Sequence, residues 1–315
     1  MKKKIAVVAF GGNALLRGDQ IGTIEEQEKN TYETCINVIP LLERGYELII
    51  THGNGPVVGN ILQRNEAAWE MYKIPKMPLD ICVADSQGGI GYMIEMQMMN
   101  ALNSKGISKS VVTLITQVEV DKYDEAFKNP TKPIGKFYTY EEAQKFQKEN
   151  GWVMQEDPRK RGWRRLVASP KPLNVLKKDL IRKLAEDGHI VVAAGGGGIP
   201  VYRHQNGTLE AIEAVIDKDL ASALLAKQIN ADAFYILTDV TKVSINFMKS
   251  DQQDLEQLST TEAKKYLAEG QFPPGSMGPK IEAAIEFVES TGKDVIITDA
   301  RELHNPNCGT KIYKG

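Results

Sequence analysis

Three apolar runs of strand length each break off in a glycine-rich turn, and no other feature of the chain narrows its fold as much. The first reads I-A-V-V-A-F-G-G-N-A at residues 5–14, and the second runs from Tyr46 into T-H-G-N-G-P at 51–56. The third, at 189–194, opens into Gly195, Gly196, Gly197 and Gly198. Runs this short and this rich in β-branched residues are buried strands. Residues 24–42, 56–71 and 87–102 carry helical spacing, and Gly45 stands where a helix stop is expected. A further strand is predicted over 111–118. Strand and helix thus alternate, the pattern of a parallel sheet with right-handed crossovers. Ligands of such sheets gather at the carboxyl ends of the strands, so the glycine loops there face one site.

Those loops suit phosphate. Gly11 and Gly12 lack a Cβ, so backbone N–H groups approach an anionic oxygen closely, and Asn13 adds an amide. One such turn is only a turn; its repetition argues for a site. The sequence has no G-x-x-x-x-G-K-[ST], and the first strand lacks the later glycines of a dinucleotide fingerprint. His52 is a single histidine in a glycine turn without an acidic neighbour, which reads as a loop-fixing hydrogen bonder before it reads as an acid or base.

The 315 residues allow one large or two ordinary domains, and a chain of this size buries roughly three quarters of its unfolded surface. A formal charge of -2, from 39 basic and 41 acidic residues, argues against a nucleic-acid partner. Cys35, Cys82 and Cys308 are odd in number and lack metal-ligand spacing, which points to a reducing compartment, the cytoplasm. The lysines at positions 2–4 precede an apolar run too short for a signal peptide, and no stretch is long enough to span a membrane.

At about residue 121 the alternation stops. From there to about 172 the chain is charged and Pro-rich, with K-N-P-T-K-P-I-G at 128–135 and P-R-K-R-G-W-R-R at 158–165. An insertion of this length is a functional lid or a disordered segment. Phe127, Tyr138, Tyr140, Phe146, Trp152 and Trp163 supply a small core and favour the lid. The basic run from Arg159 to Arg165 reads as a solvated face, given the overall charge. The helix at 87–102 has Ile90, Met93, Ile94, Met96 and Met98 on several faces, which suits first the core and second a dimer interface.

A helical pattern resumes at 173–187. Later, E-A-V-I-D-K-D-L-A-S at 213–222 leads into a helix at 220–228, and P-P-G-S-M-G-P-K at 273–280 into one at 281–289. Strands are predicted at 233–237, closed by T-D-V-T-K-V, and at 294–298. Asp217 and Asp219 suit a helix start, but a cation there is disfavoured. Lys218 and Lys280 both stand at helix starts, and a bound phosphate would offset that cost.

Taken together, G-G-N, T-H-G-N-G-P, F-K-N-P-T-K-P-I-G, G-G-G-G-I-P-V, E-A-V-I-D-K-D-L-A-S and G-S-M-G-P-K resemble the carbamate kinases, members of the amino acid kinase family, over essentially the whole chain and in order. One departure is Val57, where the family usually has Gln. The resemblance implies a three-layer α/β/α sandwich with a mainly parallel open sheet and a protruding lid. An acceptor lobe would span 1–215, with the lid inserted at about 121–172, and a nucleotide lobe 216–315, assembled as a homodimer. It implies reversible phosphoryl transfer between ATP and carbamate, serving fermentative breakdown of arginine or agmatine-type compounds. Rival readings are a sibling kinase acting on a carboxylate such as acetylglutamate, and a nucleotide-binding regulator without turnover. Gly11, Gly12 and Asn13 would cradle the moving phosphoryl group, and Gly53, Asn54 and Gly55 the carbamoyl moiety. Lys128 would close from the lid. Lys218 and Lys280 would bind the nucleotide phosphates, oriented by Asp219 and more weakly by Asp217. Thr238, Asp239, Val240, Val243, Met277, Gly278 and Pro279 would frame adenine and ribose. Mg2+ would arrive with ATP or ADP, held by phosphates and water without dedicated protein ligands.

Overall fold

The computed structural model describes residues 3–17, 20–157 and 160–315, together with the backbone but not the side chain of Asn13. Arg159, in the basic run of the insertion, lies outside the described residues. Eight strands form the main sheet, in the order Gln257–Ser259, Thr310–Tyr313, Val295–Asp299, Ala233–Thr238, Lys4–Phe10, Tyr46–His52, Ile190–Val192 and Val111–Thr113. Pairing is parallel throughout except between Val295–Asp299 and Thr310–Tyr313. The first strand is central and buried on both faces, which accounts for its unbroken apolar run.

Helices cover both faces. The described helices are α1 (Ile24–Glu43), α2 (Gly55–Tyr72), α3 (Leu79–Ser104), α4 (Tyr140–Asn150), α5 (Lys178–Glu186), α6 (Lys218–Gln228), α7 (Thr260–Ala268) and α8 (Met277–Thr291). On one face, α1 and α3 pack Val38, Ile39, Ile90, Ile94 and Met98 against Val8, Leu48 and Ile50. On the other, α5, α6, α7 and α8 pack Ile181, Leu225, Ala263 and Phe287 against Val7, Ile49 and Phe234. The three-layer architecture is the expected one.

Two predicted elements divide. The run 111–118 becomes Val111–Thr113 in the main sheet and Gln117–Val120 in a second, four-stranded sheet. Between them Gln87 of α3 turns the chain: its Oε1 accepts from Thr116 N–H at 2.8 Å, and its Nε2 donates to Thr116 O and Gly195 O. The stretch 173–187 likewise divides into a strand, Pro172–Val175, and α5, because residues 172–175 pair with Gln117–Val120.

The insertion leaves the second sheet after Val120 and returns at Pro172, which is Val120's antiparallel partner. Its own sheet, Lys132–Tyr138, Trp163–Val167 and Val153–Glu156, carries α4 over a core of Tyr138, Ala143 and Met154. Phe146 stacks on Trp152 with ring centroids 4.9 Å apart, and Arg165 lies over Trp152. The lid rests on α2: a Cβ on Gly59 would meet the Gly135 Cα at 2.8 Å, so the two glycines set how close helix and lid come.

Candidate active site

The first and second glycine loops meet at the carboxyl edge of the main sheet. A Cβ on Gly11 would lie 2.6 Å from Leu237 O on the neighbouring strand, so only glycine fits. Gly11 O and Gly12 O accept from Ala14, Leu15 and Leu16. The N–H groups of Gly12 and Asn54 have no hydrogen-bond acceptor among the described residues. They are the donors an anion would take.

Beneath the second loop lies the third. A Cβ on Gly195 would sit 2.3 Å from His52 Nε2, and one on Gly196 would sit 2.2 Å from Asn54 Nδ2. The glycine run is therefore the floor on which His52 and Asn54 rest. His52 Nδ1 is 2.9 Å from Gly53 O; a carbonyl only accepts, so the proton is on Nδ1. Burial pushes the imidazole pKa down to about 4, against the hydrogen bond to Gly53 and with help from the Lys218 charge. His52 is a neutral loop-fixing group. Asn54 Nδ2 donates to Ser86 Oγ at 3.0 Å. Val57 is half-buried against the core on the α1 and α3 side.

Two lysines converge on Asp219. Lys218 Nζ is 2.5 Å from its Oδ1, and Lys280 Nζ is 3.4 Å from its Oδ2. The aspartate side chain is 4% exposed and the two lysine side chains 13% and 14%, so water screens the cluster little. Burial alone would raise the Asp219 pKa, but the Lys218 and Lys280 charges outweigh it and hold the carboxyl below its ordinary range. For Lys218 burial dominates and lowers its pKa, opposed by Asp219 and assisted by Lys280. Lys218 is the first residue of α6, and Lys280 falls within the first turn of α8, which begins at Met277, earlier than the sequence suggested. The Lys218 stem lies against the second loop: a Cβ on Gly53 would meet its Cδ at 3.4 Å.

The remaining residues sort by position. Asp217 caps α6, its Oδ1 accepting from Asp219 N–H and Leu220 N–H, while its Oδ2 pairs with Lys132 at 2.7 Å. Lys128 does not join the cluster; its side chain is 70% exposed and pairs with Glu125. The lid lysine that reaches the α6 start is Lys132, four residues on, which the sequence reading passed over. K-N-P-T-K holds both lysines, and only the fold of the insertion distinguishes them. Thr238 and Asp239 close their strand, joined by a hydrogen bond of 3.1 Å, and with Gly11 they line a cavity of about 530 Å3. Val240 follows, half-buried. Val243 is wholly buried in the core, its N–H bonded to Thr310 Oγ1, so its side chain lies beneath any nucleotide surface and not on it. Met277, Gly278 and Pro279 form the start of α8, with Gly278 N–H on Pro273 O and Met277 half-buried against the core. Gly55 begins α2.

A family model described as amino acid kinase family matches residues 4–299. The chain belongs to the amino acid kinase family. Within it the chain is 48% identical to a carbamate kinase of Pyrococcus horikoshii over 309 residues, covering 97% of this chain and 98% of that one. It is 47% identical to a carbamate kinase of Clostridium perfringens over 313 residues, covering 98% and 99%. Among solved structures it is similar to the Giardia lamblia carbamate kinase bound to AMP-PNP, with a TM-score of 0.91, 42% identity and 99% of each chain covered. The amino acid kinase fold and the carbamate kinase resemblance are thereby borne out.

Proposed function

We propose that this chain transfers a phosphoryl group reversibly between ATP and carbamate, and that its working direction is ATP formation from ADP and carbamoyl phosphate. The observation that carries this reading is the convergence of Lys218 and Lys280 on buried Asp219, with the Lys218 stem against Gly53. Phosphoryl transfer asks little covalent work of a protein; it needs donor and acceptor aligned and the charge on the moving group neutralised. Unpaired N–H groups of the first loop take the oxygens of the moving group, those of the second hold the carbamoyl moiety, and the ammoniums of Lys218 and Lys280 face the charge passed to ADP. Asp219 aims both lysines and opposes the burial that disfavours the Lys218 ammonium. Lys132, anchored on Asp217, brings the lid's cation to the same place.

The free donors of the cleft are N–H groups and ammoniums, which fit phosphate oxygens, while the Asp219 carboxylate is already taken by two lysines. Magnesium therefore fits as a passenger of the nucleotide, supplying charge neutralisation between its phosphates. We place the nucleotide on the α6 and α8 side, where Lys218 and Lys280 converge. We assign the pathway role to fermentative use of arginine or agmatine-type compounds and the compartment to the cytoplasm; no described helix is long and apolar enough to cross a membrane.

A homodimer is proposed through α3. Met98 and Met93 face the core, whereas Ile81, Tyr92 and Met99 remain exposed along the other side of the helix. An apolar stripe of this kind suits a twofold contact. The function is tested by the purified chain with ADP, magnesium and carbamoyl phosphate. ATP must form, and acetylglutamyl phosphate must not replace carbamoyl phosphate; the reverse preference sinks the reading.

A further inference from the structure

Two of the motifs that mark this chain carry a residue to which the reaction gives no part: Thr51 opens T-H-G-N-G-P, and Ser222 closes E-A-V-I-D-K-D-L-A-S. In the fold they meet. Thr51 Oγ1 and Ser222 Oγ are 2.6 Å apart and both residues are fully buried. Ser222 Oγ is also 2.6 Å from Lys218 O. A carbonyl only accepts, so the single Ser222 proton goes to Lys218, and the proton between the two hydroxyls comes from Thr51. The direction of the chain is thus fixed: Thr51 donates to Ser222, and Ser222 donates to the backbone of Lys218.

We infer that Thr51 and Ser222 are positioning residues, a buried hydroxyl bridge that fixes Lys218 against the loop holding the phosphoryl acceptor. A serine on the carbonyl four residues back is by itself a local helix contact. The donation from Thr51 makes it a tie between two elements far apart in sequence, the end of the second strand and the start of α6. Two residues beyond Thr51, Gly53 touches the Lys218 stem, its absent Cβ placed 3.4 Å from Cδ and 3.8 Å from Cε. Backbone and stem of Lys218 are therefore both referred to the end of the second strand. Neither hydroxyl has a free path to substrate, so each acts through Lys218. Phosphoryl transfer depends on in-line alignment, and a displacement of about 1 Å from a change outside the reacting groups costs up to about a hundredfold in rate.

The inference rests on Lys218 serving the phosphoryl group, and its test keeps the two apart. Thr51→Val removes the hydroxyl at nearly constant volume, and Thr51→Ser keeps it. The readouts are the single-turnover rate of ATP formation from ADP and carbamoyl phosphate, ADP affinity by calorimetry, and the melting temperature. Thr51→Val is expected to lose about ten- to a hundredfold in rate, with ADP affinity within about twofold, and Thr51→Ser to recover most of the rate. Ser222→Ala is expected to match Thr51→Val, and the double variant to be no worse than either alone, as for two members of one contact. Should Thr51→Val fail to fold, Ser222→Ala decides by the same measures. A wild-type rate in a folded Thr51→Val or Ser222→Ala variant overturns the inference, as does a Thr51→Ser rate no better than that of Thr51→Val. Failure of the underlying reading would show differently, as undiminished turnover in Lys218→Ala.

Discussion

Replacing Asp219 with Asn tests the charge logic of the site at its centre. The substitution keeps the shape of the side chain and removes the one anion shared by Lys218 and Lys280, both themselves mostly buried. Leaving a buried charge without its partner costs about 3–5 kcal/mol. In a chain this long each kcal/mol is worth about 2 °C of melting temperature, so the unliganded variant should melt about 6–10 °C below wild type. Asp219 has its carboxyl held below the usual range, so its stabilisation is present above that range and lost as the pH falls through the lowered value. The gap between the two proteins should therefore close in acid. Burial already disfavours the Lys218 ammonium, and Asp219 is what sustains it. In the variant the lysine should lose its proton more easily, so residual turnover, reduced about a hundredfold by misaligned lysines, should climb as the pH is lowered. ADP phosphates replace the missing anion, so ADP should raise the melting temperature of the variant by more than that of wild type. Differential scanning fluorimetry with and without ADP and a pH series of ATP formation measure all of this. A variant with wild-type melting behaviour and rate would refute the reasoning.

Lys218→Ala and Lys280→Ala should each stay folded and lose about 3–4 kcal/mol of transition-state stabilisation, roughly two to three decades in the rate of ATP formation. Lys132→Ala should depress that rate well beyond Lys128→Ala and leave ADP affinity by calorimetry nearly unchanged; the opposite ranking would return the lid role to Lys128. Tyr92→Glu should yield a folded monomer by light scattering, whereas Met98→Glu, in the core, should unfold the chain. A wild-type protein that is monomeric at micromolar concentration would end the dimer proposal.

Much of this architecture was legible in the residues because local chemistry dictates it. The glycines at 11 and 195 announce places where a backbone or a ring comes close, and an apolar run flanked by such turns has few alternatives to a buried strand. What escaped the sequence depends on contacts between distant segments. Nothing within 111–118 signals a change of sheet; the bend at Thr116 is imposed by the amide of Gln87 from α3. The strand Pro172–Val175 is hidden for the same reason, since its partner lies about fifty residues earlier in the chain. Lys128 and Lys132 are equivalent by composition, and the distinction is made only when the strand Lys132–Tyr138 lies down on α2. The family resemblance puts Val243 among the residues framing the nucleotide, but its own side chain turns into the core.

The manner in which the lid is attached has a consequence for the history of such a chain. Because Val120 and Pro172 are partners in the base sheet, the whole lid hangs from one rung of an antiparallel ladder and is, topologically, an overgrown hairpin loop. Lengthening a loop whose ends are already held together costs little, about 0.6 kcal/mol for each doubling. The order of the eight main strands would be the same whether that hairpin held four residues or this whole subdomain. A lineage is therefore free to enlarge, trim or exchange the lid, while the main sheet and the pair of lysines on Asp219 stay as they are.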